Sequence, residues 1–399
     1  MAGKVGAPPN AEPGTPLVVL LAGAIAVGAL VGALLTITAL AAGPDTVTDP
    51  KGPYPWGVAV NPATGRAYVA NMGQDSVAVL DGRAGRVVAT IPVDREPVDV
   101  GINPETNLVY VTNRGSDSVS VIDGEADRVV ATIPVGPYPW AVAVHPGANR
   151  VFVTNRGGAS VSVIDGAANA VVATIPVRRD PAGIGVNPAT NRVYVTNRGN
   201  GGISVIDGEA NRVVATLPAG SYPWGVAVDP TVNRVYVANM GSGNVLVIDG
   251  ATNRPVATVG VGPDPADVGV NPDSRCVYVT NRRSGSVSVI GGVSNRVVAT
   301  VPVELDPGGV AVDPRTNLVY VVNRRSSTVS VIDGGANRVV ATVPLEFGAG
   351  QTALGAADVR LFAAGAANAQ PGANPAGASL CTRVDATPTV SPSPSPPPR

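Results

Sequence analysis

Residues 139–177 read PWAVAVHPGANRVFVTNRGGASVSVIDGAANAVVATIPV. Four apolar bursts, WAVAV, VFVTN, VSVIDG and VVATIPV, are separated by HPGANR, RGGAS and AANA. Each burst is about 5–7 residues long and rich in β-branched side chains, and the breaks carry Pro, Gly and Asn. That combination predicts four short strands joined by tight turns, not helices. Within the third burst Val161 and Val163 alternate with Ser160 and Ser162, the period-two pattern of a strand with two unlike faces.

The same order of bursts recurs along the chain. YVAN begins at Tyr68, YVTN at Tyr110, FVTN at Phe152, YVTN at Tyr194, YVAN at Tyr236, YVTN at Tyr278 and YVVN at Tyr320, each start 42 residues after the last. Pro55, Pro97, Pro139, Pro181, Pro223, Pro265 and Pro307 keep step. So does a V-[IL]-D-G motif, broken only by Gly291. Seven in-phase copies of four antiparallel strands predict an all-β fold, a seven-bladed β-propeller over residues 52–346. The first burst is small at alternate positions (Gly57 and Ala59, Ala141 and Ala143, Gly183 and Gly185), which suits the innermost strand, where converging blades leave least room. The copies run from inner to outer strand and end near Leu345, so closure is expected from packing of copy 7 on copy 1, unless residues 46–48 add an edge strand.

The YVTN signatures, each followed by V-x-V-[IL]-[DG]-G and V-[AV]-A-T, resemble the YVTN-repeat β-propellers. That family includes surface-layer and secreted propeller proteins and is more distantly similar to lactonase-type propellers. The resemblance covers residues 52–346, with Phe152 and Gly291 as departures. It implies the fold and an extracytoplasmic setting, and no single activity, because propellers host many functions.

Outside the repeats the chain divides into an N-terminal segment (1–16), an uncharged run (17–42), a linker (43–51) and an Ala/Gly-rich then Pro/Ser-rich tail (347–399). Residues 17–42, LVVLLAGAIAVGALVGALLTITALAA, exceed the roughly 20 residues a membrane-spanning helix needs. Lys4 precedes the run while Asp45 and Asp49 follow it, which places the N-terminus in the cytoplasm and the propeller outside. Ala39-Leu40-Ala41 also forms a small-x-small site, so a signal anchor and a signal peptide cleaved after Ala41 are both open. The expected location is the cell membrane with an extracytoplasmic propeller, or the exterior. The tail composition cannot bury a core and predicts an extended polymer. A net charge of −1 without a basic stripe excludes nucleic acid as the expected partner.

Strand alternation puts the turn before the first burst and the turn after YVTN on one face of the ring. That rim differs among copies. Copies 1, 3 and 5 carry Tyr54-Pro55-Trp56, Tyr138-Pro139-Trp140 and Tyr222-Pro223-Trp224, which account for all three tryptophans. Copies 2, 4, 6 and 7 carry Glu96, Asp180, Asp264 and Asp306 before the proline. Arg114, Arg156, Arg198, Arg282 and Arg324 follow YVTN where Met72 and Met240 do in copies 1 and 5. Two readings stand: the Trp, Tyr and Arg residues form a binding rim for a protein, peptide or glycan, or each Trp plugs the wedge between blades beside an acid–Arg pair. Asp99 and Asp267 replace small residues of the first strand and are the candidate channel ligands for Ca²⁺; no other cofactor is expected.

His145, the one histidine, fills a turn slot that is Asn or Asp in the other copies, which excludes His-cluster metal sites. The V-I-D-G aspartates read as turn formers. The Tyr and Asn of YVTN, repeated in nearly every copy, read as packing and strand-end residues. Cys276 and Cys381 either pair and staple the tail under the ring or remain two thiols. The functional expectation is a monomeric, non-catalytic binding scaffold. The alternatives are a lactonase- or quinoprotein-like enzyme with a metal or cofactor in the channel, and a structural envelope component.

Overall fold

The structure, a computed structural model, describes residues 54–82, 84–345 and 380–382. The uncharged run 17–42, the TVT of 46–48 and most of the tail lie outside these residues. Among the described residues no helix is long and apolar enough to cross a membrane.

Among the described residues, twenty-eight strands form seven four-stranded antiparallel sheets, each built from four consecutive strands. Blade 1 comprises Pro55–Asn61, Arg66–Asn71, Ser76–Asp81 and Arg86–Pro92. Blade 7 comprises Pro307–Asp313, Leu318–Asn323, Thr328–Asp333 and Arg338–Pro344. The first strands of neighbouring blades pack on one another all the way round, and Pro55–Asn61 meets Pro307–Asp313 to complete the ring within one chain. No described strand is exchanged between sheets. Among the described residues, then, closure rests on the packing of blade 7 against blade 1.

The repeat explains that packing. Each YVTN tyrosine is a wedge driven into the next blade: Tyr68, Tyr110, Tyr194 and Tyr278 are fully buried, and Tyr236 and Tyr320 nearly so. The glycine of V-I-D-G makes the room. A Cβ on Gly82 of blade 1 would overlap the hydroxyl of Tyr320 from blade 7, and Gly124 and Gly334 stand in the same relation to Tyr68 and Tyr278. The Tyr68 hydroxyl also donates to the Gly124 carbonyl at 3.3 Å. Burying a side chain of this size stabilises by about 2 kcal/mol, and the contact recurs from blade to blade. The preceding aspartate shapes the turn, as at Asp123, whose Oδ1 accepts from the N–H groups of Glu125 and Ala126. His145 behaves as its slot predicts, its Nδ1 accepting from Ala148 N at 3.2 Å.

Blade 6 departs from this plan at two opposed positions. In blades 4 and 5 the second and third strands pair Arg192 with Asp207 and Arg234 with Asp249, each an ion pair. In blade 6 the corresponding pair is Cys276 and Gly291. Cys276 is joined in a disulfide to Cys381 of the short helical turn Leu380–Thr382, with Cα atoms 5.2 Å apart. A Cβ on Gly291 would come within 3.3–3.4 Å of the Cys381 backbone. The missing aspartate and the extra cysteine are thus one adaptation, which seats the 380–382 segment against blade 6.

Candidate functional site

The first strand of every blade breaks register at its start. In blade 1, Pro55 pairs with Asn71 and Val58 with Val69, which leaves Trp56 and Gly57 opposite Ala70 alone. Blades 3 and 5 repeat this bulge around Trp140 and Trp224. A bulge re-aims the side chains it carries, and here it turns the three indoles toward one another. Trp56 and Trp140 meet edge to face with ring centroids 5.1 Å apart, and Trp140 and Trp224 do so at 5.8 Å. Edge-to-face pairs at this spacing contribute about 0.5–1.5 kcal/mol beyond their burial. The YVTN tyrosines are the wedges against the Asp-Gly turns, while Trp140 packs in one buried cluster with Val98 of blade 2 and Ile184 of blade 4, beside the acid–Arg pairs that the second reading foresaw. Trp140, at the centre of the trio, is 6% exposed, while Trp56 and Trp224 are half-buried.

A guanidinium lies on each indole. Arg324 is 4.3 Å from the Trp56 centroid, Arg156 4.4 Å from Trp140 and Arg198 4.4 Å from Trp224. These arginines belong to two clusters in which two guanidiniums share one carboxylate. Asp180 bridges Arg156 at 2.7 Å and Arg198 at 3.6 Å. Asp306 bridges Arg282 at 2.9 Å and Arg324 at 2.6 Å. Burial pushes the Asp306 carboxyl up, but the bonds from Arg324 and Arg282 outweigh it and hold it below the usual range. Arg324 is shifted down, first by burial and then by repulsion from Arg282. Each cluster carries an excess positive charge against the aromatic surface.

Below the indoles lies a cavity of ≈ 80 Å³ at the ring centre, reached by Asp99 and Asp267. Asp99 Oδ2 accepts from Val142 N at 3.0 Å across the blade 2–blade 3 boundary. Asp267 repeats the contact three blades round the shorter way: its Oδ2 accepts from Val310 N at 3.0 Å and its Oδ1 from Val268 N at 2.9 Å. Gly57 and Gly225 of the preceding blades are open to these carboxylates, since a Cβ there would strike Asp99 Oδ1 or Asp267 Oδ1. Burial pushes Asp99 up to about 7, opposed by the Val142 N–H and reinforced by the Asp267 charge. Burial likewise pushes Asp267 up to about 6. As Ca²⁺ ligands the pair falls short. Both carboxylates are engaged by backbone N–H donors, Ca²⁺ takes about 6–8 oxygens, and among the described residues no three acidic, His or Cys side chains gather around a common point.

Of the rim residues read from the sequence, the structure gathers Trp56, Trp140, Trp224, Arg156, Arg198 and Arg324 into one array, with Arg282 at its edge. Tyr54 packs on Trp56 at 6.0 Å. Tyr138 and Tyr222 point outward at 58% and 55% exposure. Arg114 pairs with Glu96 at 2.9 Å and has no place among the indole contacts. One structural role escaped the sequence reading. The threonine of YVTN ties blades together at the mouth: Thr112 Oγ1 donates to the Trp140 carbonyl at 2.9 Å and Thr196 Oγ1 to the Trp224 carbonyl at 2.6 Å. The available signal was its replacement by Ala70, Ala238 and Val322 in three copies.

The comparisons agree with this architecture. A family model described as YNCE-like beta-propeller matches residues 97–234, a little over three of the 42-residue copies. Among solved structures, a chain titled Kuenenia stuttgartiensis Hydrazine Synthase is similar over 73% of this chain and 98% of its own, with TM-score 0.66 and 21% identity. A likeness at that identity speaks to the fold alone. No curated protein matches the chain.

Proposed function

We propose that this is an extracytoplasmic, non-catalytic binding propeller of the YVTN-repeat kind, held at the membrane or released by its N-terminal run, which recognises its partner at the tryptophan-lined mouth of the ring. The observation that carries the reading is the convergence of all three tryptophans over a central cavity, each with an arginine stacked on it. Aromatic and Arg anchors in one preorganised array are the groups that dominate recognition surfaces. The exposed Tyr138 and Tyr222 extend the same face outward and suit a peptide or glycan larger than the cavity itself. The N-terminal run supports the extracytoplasmic setting, as does an intramolecular disulfide, which persists in oxidising compartments.

Because the chain has no tryptophan elsewhere, its intrinsic emission reports on the mouth alone. Titration of the purified protein with a panel of cell-surface peptides and oligosaccharides is expected to give a saturable change in emission for at least one member, lost in Trp140→Ala. Emission unmoved by every member, at concentrations into the millimolar range, would count against the reading.

A further inference from the structure

The tryptophan trio does not close the mouth. Trp56, Trp140 and Trp224 come from blades 1, 3 and 5, and the equivalent positions of blades 6 and 7 are Ala266 and Gly308. The stack runs from Trp56 through Trp140 to Trp224 and leaves a gap over the two small residues. The gap opens on the central cavity, and Arg282 and Arg324 stand beside it. Their ion pairing is incomplete. Both share the single carboxylate of Asp306, and the remaining contact of Arg282 is Nη1 to the Met240 sulfur at 3.8 Å. The Arg324 side chain is only 3% exposed, and among the described residues its Nε has no hydrogen-bond partner. Two guanidiniums sharing one carboxylate on a cavity wall form a cluster short of one anion, and Arg282, 31% exposed, is the one a ligand reaches first.

We propose that this gap binds a small hydroxy-carboxylate, its carboxylate received by Arg282 and Arg324 and its hydroxyl groups directed to Asp99 and Asp267 on the cavity wall. The proposal rests on the mouth being the recognition site and specifies its chemistry. Guanidinium groups favour carboxylate through charge-assisted and bidentate bonds. Asp99 and Asp267 retain lone pairs beyond those used by the backbone N–H groups, so they can accept from a hydroxyl. Near neutral pH the raised Asp99 also spends part of its time protonated and able to donate. A cavity of ≈ 80 Å³ is worth about three waters at their share of the liquid, the scale of a three-carbon hydroxy acid, with a larger sugar acid protruding past Tyr54.

The test is isothermal titration of the whole protein with glycerate, against glycerol and propionate, three-carbon compounds that lack the carboxylate and both hydroxyl groups respectively. Methyl glucuronide presents the same groups on a sugar ring and tells a free acid from a glycan terminus. Expected are saturable heat with glycerate or methyl glucuronide and at least tenfold weaker binding of glycerol and propionate. Arg282→Gln should weaken binding about ten- to hundredfold, the loss of one charged hydrogen bond. Arg324 and Asp306 still pair in that variant, so the fold stands. Ala266→Trp, which places an indole where alternate blades already carry one, should abolish binding. Equal binding of propionate, or glycerate binding undiminished in both variants, overturns the assignment. If neither acid binds while peptides or oligosaccharides still change the tryptophan emission, the hydroxy-carboxylate falls and the recognition site stands; if all are silent, both fall.

Discussion

Raising the pH from 5 to 8 should destabilise the ring, and the loss should trace to two residues. Asp99 and Asp267 hold protons more tightly in the folded ring than in the unfolded chain, with folded values of about 7 and about 6 against an ordinary 3.8. A group with a raised folded pKa contributes stability that is complete below its unfolded value and is lost as pH rises through the folded one. The window is therefore pH 4 to 7. At 1.36 kcal/mol per unit, the step from pH 5 to 8 removes about 3 kcal/mol through Asp99 and about 1 kcal/mol through Asp267. For a propeller of about 290 residues that is a fall in Tm of about 6 °C. The turn aspartates Asp123, Asp165, Asp207 and Asp249 are shifted down and titrate on the acid side of this window. In the double variant Asp99→Asn, Asp267→Asn the amide oxygens can still accept from Val142 N and Val310 N, but nothing ionises. Scanning calorimetry of both proteins at pH 5 and pH 8 checks the reasoning. A wild-type Tm at pH 8 equal to or above that at pH 5 refutes it. So does a fall of the same size in the double variant.

Other perturbations follow from the packing. Gly82→Ala drives a methyl group into the Tyr320 hydroxyl at the ring closure and should cost about 1–3 kcal/mol in thermal or chemical unfolding, whereas Gly147→Ala, with nothing within 4 Å, should be near neutral. Trp140→Ala removes the centre of the stack at 6% exposure and should cost about 3–5 kcal/mol by denaturant titration. Digestion under non-reducing conditions should yield a Cys276–Cys381 linked peptide by mass. Gly291→Asp, which crowds the Cys381 backbone, should lower the yield of that peptide.

The repeat made the fold legible because each landmark answers a local demand that recurs every 42 residues. Small residues mark the strand nearest the axis, Asp-Gly marks a turn, and Tyr marks a wedge, so blade number and strand order follow from spacing alone. The mouth was legible only as a face. The sequence places Trp in alternate blades but says nothing of the direction a bulge gives the indole, and the two readings of it differed only in that direction. Ion pairing was ambiguous for a similar reason. An Arg after YVTN can turn back 18 residues within its blade, as Arg114 does to Glu96, or reach 24 residues forward to the next blade, as Arg156 does to Asp180. The disulfide needed the cross-strand register, which brings Gly291 opposite Cys276 and shows two departures from the repeat to be one.

The recognition site exists only if three indoles meet over one channel, and near-ultraviolet circular dichroism tests that most directly. Stacked indoles couple their transitions, so the spectrum should exceed the sum of isolated residues. With Trp140 in the middle of the stack, Trp140→Phe should remove nearly all of the coupled signal, while Trp56→Phe should keep the part due to Trp140 and Trp224. Loss of about one-third of the signal in each single variant would mean three independent tryptophans, and would contradict the site.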